Sequence, residues 1–330
     1  MENVKTIAMM RQLNLSENDK PLIIRQNCTA NLQQFVGKTI FGDFFYFCAY
    51  KTDIMDARKI TLNDFILTGG GFNGESYDHK TDPTVMLKLY FLGKMQQPLD
   101  EMLVAQKVYA AGISTPEPGE YVVTDDGRYG ILFRRIVGKT SYSRACADHP
   151  EMVHHYANEF AEMCQQLHAT HVDTKQFESV KDRYLRLLSE NPYFTAEEKD
   201  KLAHFIAKVP DTDTALHGDL QFSNAIFTGK ERYFIDLGDF CYGHPYFDLG
   251  MLYLCCILDG EEYLQEYFHI SKATAVRFWE SFVPAYFGND RPIIDIEQEI
   301  RPFAGLKTLI IERDTKCLMP QFRVALEGII

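Results

Sequence analysis

The sequence predicts an α+β protein of two lobes, a strand-rich one followed by a mainly helical one. Two observations carry this. Between about residues 60 and 137, β-branched and aromatic runs alternate with glycine- and proline-bearing turns. Beyond about residue 140, apolar residues recur at helical spacing instead. The change divides the chain into an N-terminal extension (1–59) packed on the first lobe, a first lobe with its connecting segment (60–137), and a helical lobe (138–330).

The elements follow in order. Within the extension, Pro21–Arg25 and the aromatic-dense Thr39–Tyr50 read as strands, which either extend the sheet or form a dimer surface. Residues 60–68 (ITLNDFILT) read as one strand. A glycine-rich turn, Gly69-Gly70-Gly71-Phe72-Asn73-Gly74, leads into Glu75-Ser76-Tyr77; a second turn at Asp78–Pro83 leads into the strand Val85–Phe91, making an antiparallel meander. Residues 99–111 carry a helical stripe that Gly112, Pro116 and Pro118 bring to an end. Residues 119–137 read as a hairpin turning at Asp125-Asp126-Gly127. Helices are expected at 150–170, 174–189, 196–207, 246–258, 262–268, 272–286 and 296–313, with Trp279, Phe278 and the Cys255-Cys256 pair inside the helical core.

Composition bounds the function. A formal net charge of -12 disfavours nonspecific binding to nucleic acid or to an anionic membrane, because like charges repel. The eight cysteines include no C-x-x-C pair and no zinc-finger spacing, so they read as reduced, mostly buried thiols. The first twenty residues show no basic segment followed by an apolar run, and no stretch of about 18 apolar residues would span a bilayer. A soluble cytoplasmic protein, monomer or homodimer, is expected.

The chemistry concentrates at 217–236. His217-Gly218-Asp219-Leu220-Gln221-Phe222-Ser223-Asn224 is followed by a short hairpin whose apolar second strand ends at Asp236. Asp-x4-Asn, then a second Asp beyond a hairpin, is the order that phosphoryl transfer from a nucleotide needs. A carboxylate must orient the attacking hydroxyl and take its proton, which assigns Asp219 as the catalytic base. Hard oxygen donors must hold magnesium on the phosphates, which assigns Asn224 and Asp236 as metal ligands. An isolated H-x-D is common; here the whole order is met.

HGDLQFSN, IDLGDF and YFDLG resemble the aminoglycoside phosphotransferase/choline kinase-like family, from about Thr68 to Leu249 in motif order, and LHGD…N…IDLGDF…FDLG is typical of its bacterial phosphotransferases. The resemblance implies the bilobal protein-kinase-like fold, ATP and Mg2+, and a hydroxyl-bearing small molecule as acceptor. It also implies structural roles for two residues: His217 supports the loop backbone, and Asp248 in Phe247-Asp248-Leu249-Gly250 braces the loop.

The first lobe reads consistently with this. Lys88 lies between Leu87 and Leu89 in an apolar strand, where an ammonium is costly without a partner. In the kinase arrangement such a lysine binds the nucleotide phosphates and pairs with a glutamate of the next helix, for which Glu101 is the candidate. The turn GGGFNGES lacks the P-loop pattern. It offers Gly71, Asn73, Gly74 and Ser76 as phosphate contacts, since glycine lets backbone approach closely. Residues 130–139 read as the last strand and the hinge, with adenine held by backbone groups of Phe133–Ile136. Arg134 stands where related sequences carry an acidic residue, and Ile226 and Ile235 flank the metal hairpin beneath the adenine or in the core. Three readings stay open: a small-molecule kinase, a pseudokinase or nucleotide-binding regulatory module, and transfer of AMP to a protein. The presence of Lys88, Asp219, Asn224 and Asp236 together favours the first. No A-P-E segment or long activation loop follows Asp236, which disfavours a protein kinase.

Overall fold

The computed structural model describes residues 57–330, Phe72 excepted. The two runs read as strands before residue 51, and nearly all of the 1–59 extension, lie outside the described residues. The first sheet has six strands: β1 (Arg58–Ile60), β2 (Phe65–Gly70), β3 (Gly74–His79), β4 (Val85–Tyr90), β5 (Pro118–Thr124) and β6 (Tyr129–Arg134). Their order is β1-β5-β6-β4-β3-β2; β1 pairs with β5 in parallel and the other neighbours are antiparallel. The strand expected over 60–68 is two strands on opposite edges. Asp64 N–H turns back to the Thr61 carbonyl, and Leu62 N–H is drawn to Asp125 Oδ1 in the β5–β6 turn. Four residues link the two edges, so the sheet must curl to bring them within that reach.

Alternation in β4 sorts its side chains. Leu87 and Leu89 join Phe65, Tyr77, Val122 and Leu132 in an apolar core, while Lys88 and Tyr90 point to the other face. There they meet α1 (Gln96–Ala110), which packs against β5 and β6 and starts three residues before the expected helix.

The helical lobe contains α2 (Tyr142–Asp148), α3 (Val153–His168), α4 (Val180–Glu190), α5 (Ala196–Lys208), α6 (Tyr246–Tyr253), the short α7 (Glu261–Tyr263), α8 (Lys272–Phe287), α9 (Ile293–Leu306), α10 (Thr308–Thr315) and α11 (Pro320–Arg323). Helix α4 begins six residues later than the expected 174. Asp173 Oδ1 takes the Lys175 N–H in a turn, and Ser179 caps α4 by accepting from Asp182 N–H. Thr195 and Glu198 form a capping box on α5. The helix expected over 296–313 is α9 and α10, interrupted at Lys307. Helices α3 and α8 lie side by side over a core that includes Phe160, Phe222, Phe278, Trp279, Phe282, Cys255 and Cys256. Two small sheets stand at the boundary of the lobes: β7 (Thr140–Ser141), β9 (Ala225–Phe227) and β10 (Arg232–Phe234) in the order β10-β9-β7, and β8 (Ala215–Leu216) with β11 (Cys241–Tyr242). Among the described residues, no helix is long and apolar enough to cross a membrane.

Helix α6 widens into a π turn, Leu254–Leu258, that ends at Asp259. Lys272 Nζ caps the turn by donating to the carbonyls of Cys256, Ile257 and Asp259 at 3.2, 2.8 and 2.7 Å. The Asp259 carboxyl is buried and its Oδ2 has no hydrogen-bond partner among the described residues. Burial pushes it up to about 7, with Lys272 opposing. The folded state therefore keeps this proton while the unfolded chain releases it, and stability falls as pH rises between about 4 and 7. Asp259→Asn is expected to remove that decline, roughly 2–4 kcal/mol across the interval. Denaturant melts of both proteins at several pH values check this; parallel pH profiles would refute it.

Candidate active site

Two groups of side chains meet at the boundary of the lobes. In the first, Lys88 Nζ donates to both carboxylate oxygens of Glu101 at 2.6 and 2.9 Å, and to Asp236 Oδ1 at 2.7 Å. The Tyr90 hydroxyl, on the same face of β4, also donates to Glu101. Glu101 is 6% exposed, whereas Asp236 is 47% exposed and open to a ligand. Burial pushes Glu101 up to about 7, with Lys88 pulling the other way. Against the effect of its own burial, Lys88 is held above the ordinary lysine value by Asp236 and Glu101. Lys88 in turn holds Asp236 below the usual carboxylate range. Asp236 adopts φ 62°, ψ 54°, a left-handed conformation that Asp tolerates better than most residues. The turn that follows, Leu237–Asp239, packs against α1 beside Glu101.

The second group is the loop between β8 and β9. Asp248, fully buried at the start of α6, accepts from His217 N–H at 2.7 Å and Gly218 N–H at 2.8 Å, and bonds His168 Nε2 at 3.1 Å. Against the cost of its burial, His168, with His217 and Lys307 nearby, holds Asp248 below the usual carboxylate range. His217 Nδ1 accepts from Asp219 N–H, which leaves the proton on Nε2 to donate to the Ile235 carbonyl at 3.0 Å. The loop is thereby tied to the strand end that carries Asp236. Phe222 anchors its other end, stacking edge-on against Phe268.

Asp219 Oδ2 accepts from Gln221 Nε2 at 3.1 Å and Asn224 Nδ2 at 2.9 Å. Because the Asn224 amide nitrogen is spent on Asp219, its oxygen is turned away and makes no hydrogen bond among the described residues. Asn224 Oδ1 and the Asp236 carboxylate are hard oxygen donors, one neutral and one charged, the chemistry a magnesium ion selects. Burial, then the neighbouring Asp239 and Asp236, pushes Asp219 up to about 6, close to the range in which a carboxylate serves as a general base.

Gly218 is required by this geometry. It has φ +84°, and a Cβ built there would stand 1.8 Å from the Asp239 carbonyl oxygen. Gly218→Ala is expected to destabilise the protein by at least about 2 kcal/mol, since backbone strain and a backbone clash act together. Wild-type thermal stability in the variant would show that the turn can open.

The other sequence-predicted residues line the sheet side. Ser76 stands opposite Lys88 on β3, and Gly74 stands opposite Tyr90. A Cβ at Gly74 would meet the Leu89 carbonyl at 2.1 Å, so the sheet itself requires this glycine; a Cβ at Gly71 would meet nothing within 4 Å among the described residues. Gly71 N–H donates to the Gly74 carbonyl, and the Asn73 carbonyl accepts from Phe91 N–H. Phe133 and Ile136 are half-buried around the end of β6, the Arg134 side chain is exposed, and Arg135 N–H donates to the Thr84 carbonyl. Ile235 is half-buried and Ile226 buried. None of Gly71, Asn73, Gly74, Phe133 and Ile136 is bonded to either polar group among the described residues.

Sequence reasoning missed four supports: Tyr90, His168, Arg183 and Lys307. Tyr90 was legible, because it lies two residues from Lys88 on one strand. His168 ends α3, and no carboxylate near it in sequence marks Asp248 as its partner. Arg183 donates to the carbonyls of Asp239 and Phe240, and Lys307 to that of Gly218. Nothing local distinguishes these two from solvated cations.

The small sheet and helix that carry a lysine–glutamate pair, above a helical body with a braced H-G-D loop, make a protein-kinase-like fold. The fold agrees with solved structures. A thermostable mutant of aminoglycoside phosphotransferase APH(4)-Ia matches in apo form with TM-score 0.53 and 13% identity, over 80% of this chain and 94% of that one. A ternary complex of such a mutant with ADP and hygromycin B matches with TM-score 0.55 and 13% identity, over 79% and 90%. No protein of curated function matches the sequence. The model of the phosphotransferase enzyme family matches residues 66–280, and the chain belongs to that family.

Proposed function

We propose that the protein transfers the γ-phosphate of ATP to a hydroxyl of a small molecule, with magnesium, in the cytoplasm. The observation that carries this reading is the double attachment of Lys88. Its ammonium joins Glu101 of α1 to Asp236 beyond the hairpin, so one cation ties the sheet lobe to the strand end that is itself bonded, through Ile235, to His217 and Asn224 of the loop.

On this reading ATP lies between the sheet lobe (60–137) and the helical lobe (138–330). Backbone groups of Phe133–Ile136 hold the adenine above Ile235, and the segment with Gly71, Asn73, Gly74 and Ser76 covers the phosphates. Lys88, kept charged by its two carboxylates, binds those phosphates. Asn224 and Asp236 hold magnesium, which when bound neutralises charge on the β- and γ-phosphates. Asp219 orients the acceptor hydroxyl and takes its proton as that oxygen bonds the γ-phosphorus. The bond from phosphorus to the β,γ-bridging oxygen breaks, and ADP leaves. His217 and Asp248 hold the loop still while this happens.

The test is an ATP-consumption screen across hydroxyl-bearing small molecules, aminoglycosides and amino-alcohols included, with Asp219→Ala as control and mass spectrometry of the products. A product heavier by one phosphoryl group, absent with the control, is expected. Addition of AMP to a protein, or nucleotide binding with no product from any acceptor, would overturn the reading.

A further inference from the structure

We propose that Lys307 is a positioning residue for Asp219, acting through the carbonyl of Gly218; this rests on the phosphotransferase reading of the loop. Lys307 falls at the interruption between α9 and α10, 3% exposed, and its Nζ donates to the Gly218 oxygen at 2.9 Å. The Gly218 peptide groups are then held from two sides. Asp248 Oδ1 takes the Gly218 N–H at 2.8 Å, and Lys307 takes the carbonyl that leads directly into Asp219. Close contact with the Asp239 backbone closes the third side of Gly218. With these restraints the peptide before Asp219 cannot rotate without breaking a buried hydrogen bond, so the carboxylate is aimed by groups remote from it in sequence.

Packing alone does not call for a lysine here. A buried ammonium loses its hydration, and an apolar side chain of similar length would fill the space without that loss. What the apolar side chain lacks is a donor for the Gly218 carbonyl and a positive charge for the neighbouring carboxylates. Lys307 supplies both: Asp248 and Asp219 attract its ammonium, and the Tyr184 ring lies 5.8 Å away. The C-terminal helices thereby reach into the catalytic loop, although no sequence motif joins them to it.

The experiment compares wild type with Lys307→Met, which keeps length and removes the donor, and with the milder Lys307→Gln, which keeps a donor without charge. ATP turnover, nucleotide affinity and hydrogen–deuterium exchange are measured on the full chain. Lys307→Met is expected to lower turnover about 100-fold, the scale of a misplaced catalytic group, with nucleotide affinity within about twofold of wild type because the Lys88 side is untouched. Exchange of the segment 216–224 should rise roughly tenfold while 85–90 stays as in wild type, a local opening rather than a global one. Lys307→Gln should fall between the two. Wild-type turnover in both variants overturns the proposal. So does a loss in which nucleotide affinity and exchange at 85–90 change in parallel with the loop. If the wild-type protein turns over no acceptor, the functional reading falls. The exchange result then decides the role of Lys307 alone: a rise confined to the loop supports it, and no rise overturns it.

Discussion

Asp219→Asn is expected to bind nucleotide as the wild type does and to turn it over about 1000-fold more slowly, the middle of the range for removing a general base. The substitution is nearly isosteric. One side-chain oxygen remains to accept from Gln221 and Asn224, and the backbone bonds of the loop do not involve the carboxylate. What disappears is the proton acceptor. The two terms separate cleanly because the nucleotide contacts proposed above, from the sheet lobe, Asn224 and Asp236, do not include the Asp219 carboxylate. Initial rates with saturating ATP, beside calorimetric nucleotide affinity, measure each term. Turnover within tenfold of wild type would show that another group takes the proton.

The second large effect is expected at Asp236. Asp236→Asn keeps a residue that tolerates the left-handed conformation and keeps one oxygen, but removes the charge. Lys88 would then have Glu101 as its remaining carboxylate partner. The charge stabilisation that a bound metal gives to phosphoryl transfer is several kcal/mol, so losing most of it should cost about three powers of ten in turnover. Nucleotide affinity should also stop responding to magnesium, which distinguishes this variant from Asp219→Asn. Titration of nucleotide with and without the metal is the check. A magnesium response equal to that of the wild type would remove Asp236 from the metal site.

Much of this arrangement was legible in the chain. The strand containing Lys88 was readable because alternation is local: a lysine between two leucines shares a face with its neighbours two residues away, while Leu87 and Leu89 turn into the core. Spacing from Asp219 to Asn224 was readable because both lie on one turn-bound loop, and their side chains touch. Helix ends were less legible. The start of α4 moved to Val180 because a side-chain cap at Ser179 and a turn at Asp173 outweigh helical periodicity. The expected strand over 60–68 became two, because Asp125, more than sixty residues away, accepts the Leu62 N–H and holds the chain in a turn.

The sequence by itself determined the sheet-then-helix order, the loop His217–Asn224 and the identity of the residues with chemistry to offer. These depend on spacings of a few residues, over which backbone geometry alone dictates which side chains are neighbours. Only the tertiary structure decided that Lys88 meets Asp236 across 148 positions, that His168 and His217 share the carboxylate of Asp248, and that Lys307 closes on Gly218 across 89. The reason is physical: a lysine or histidine reads the same in sequence whether solvated or buried, and its partner is chosen by how whole apolar faces pack.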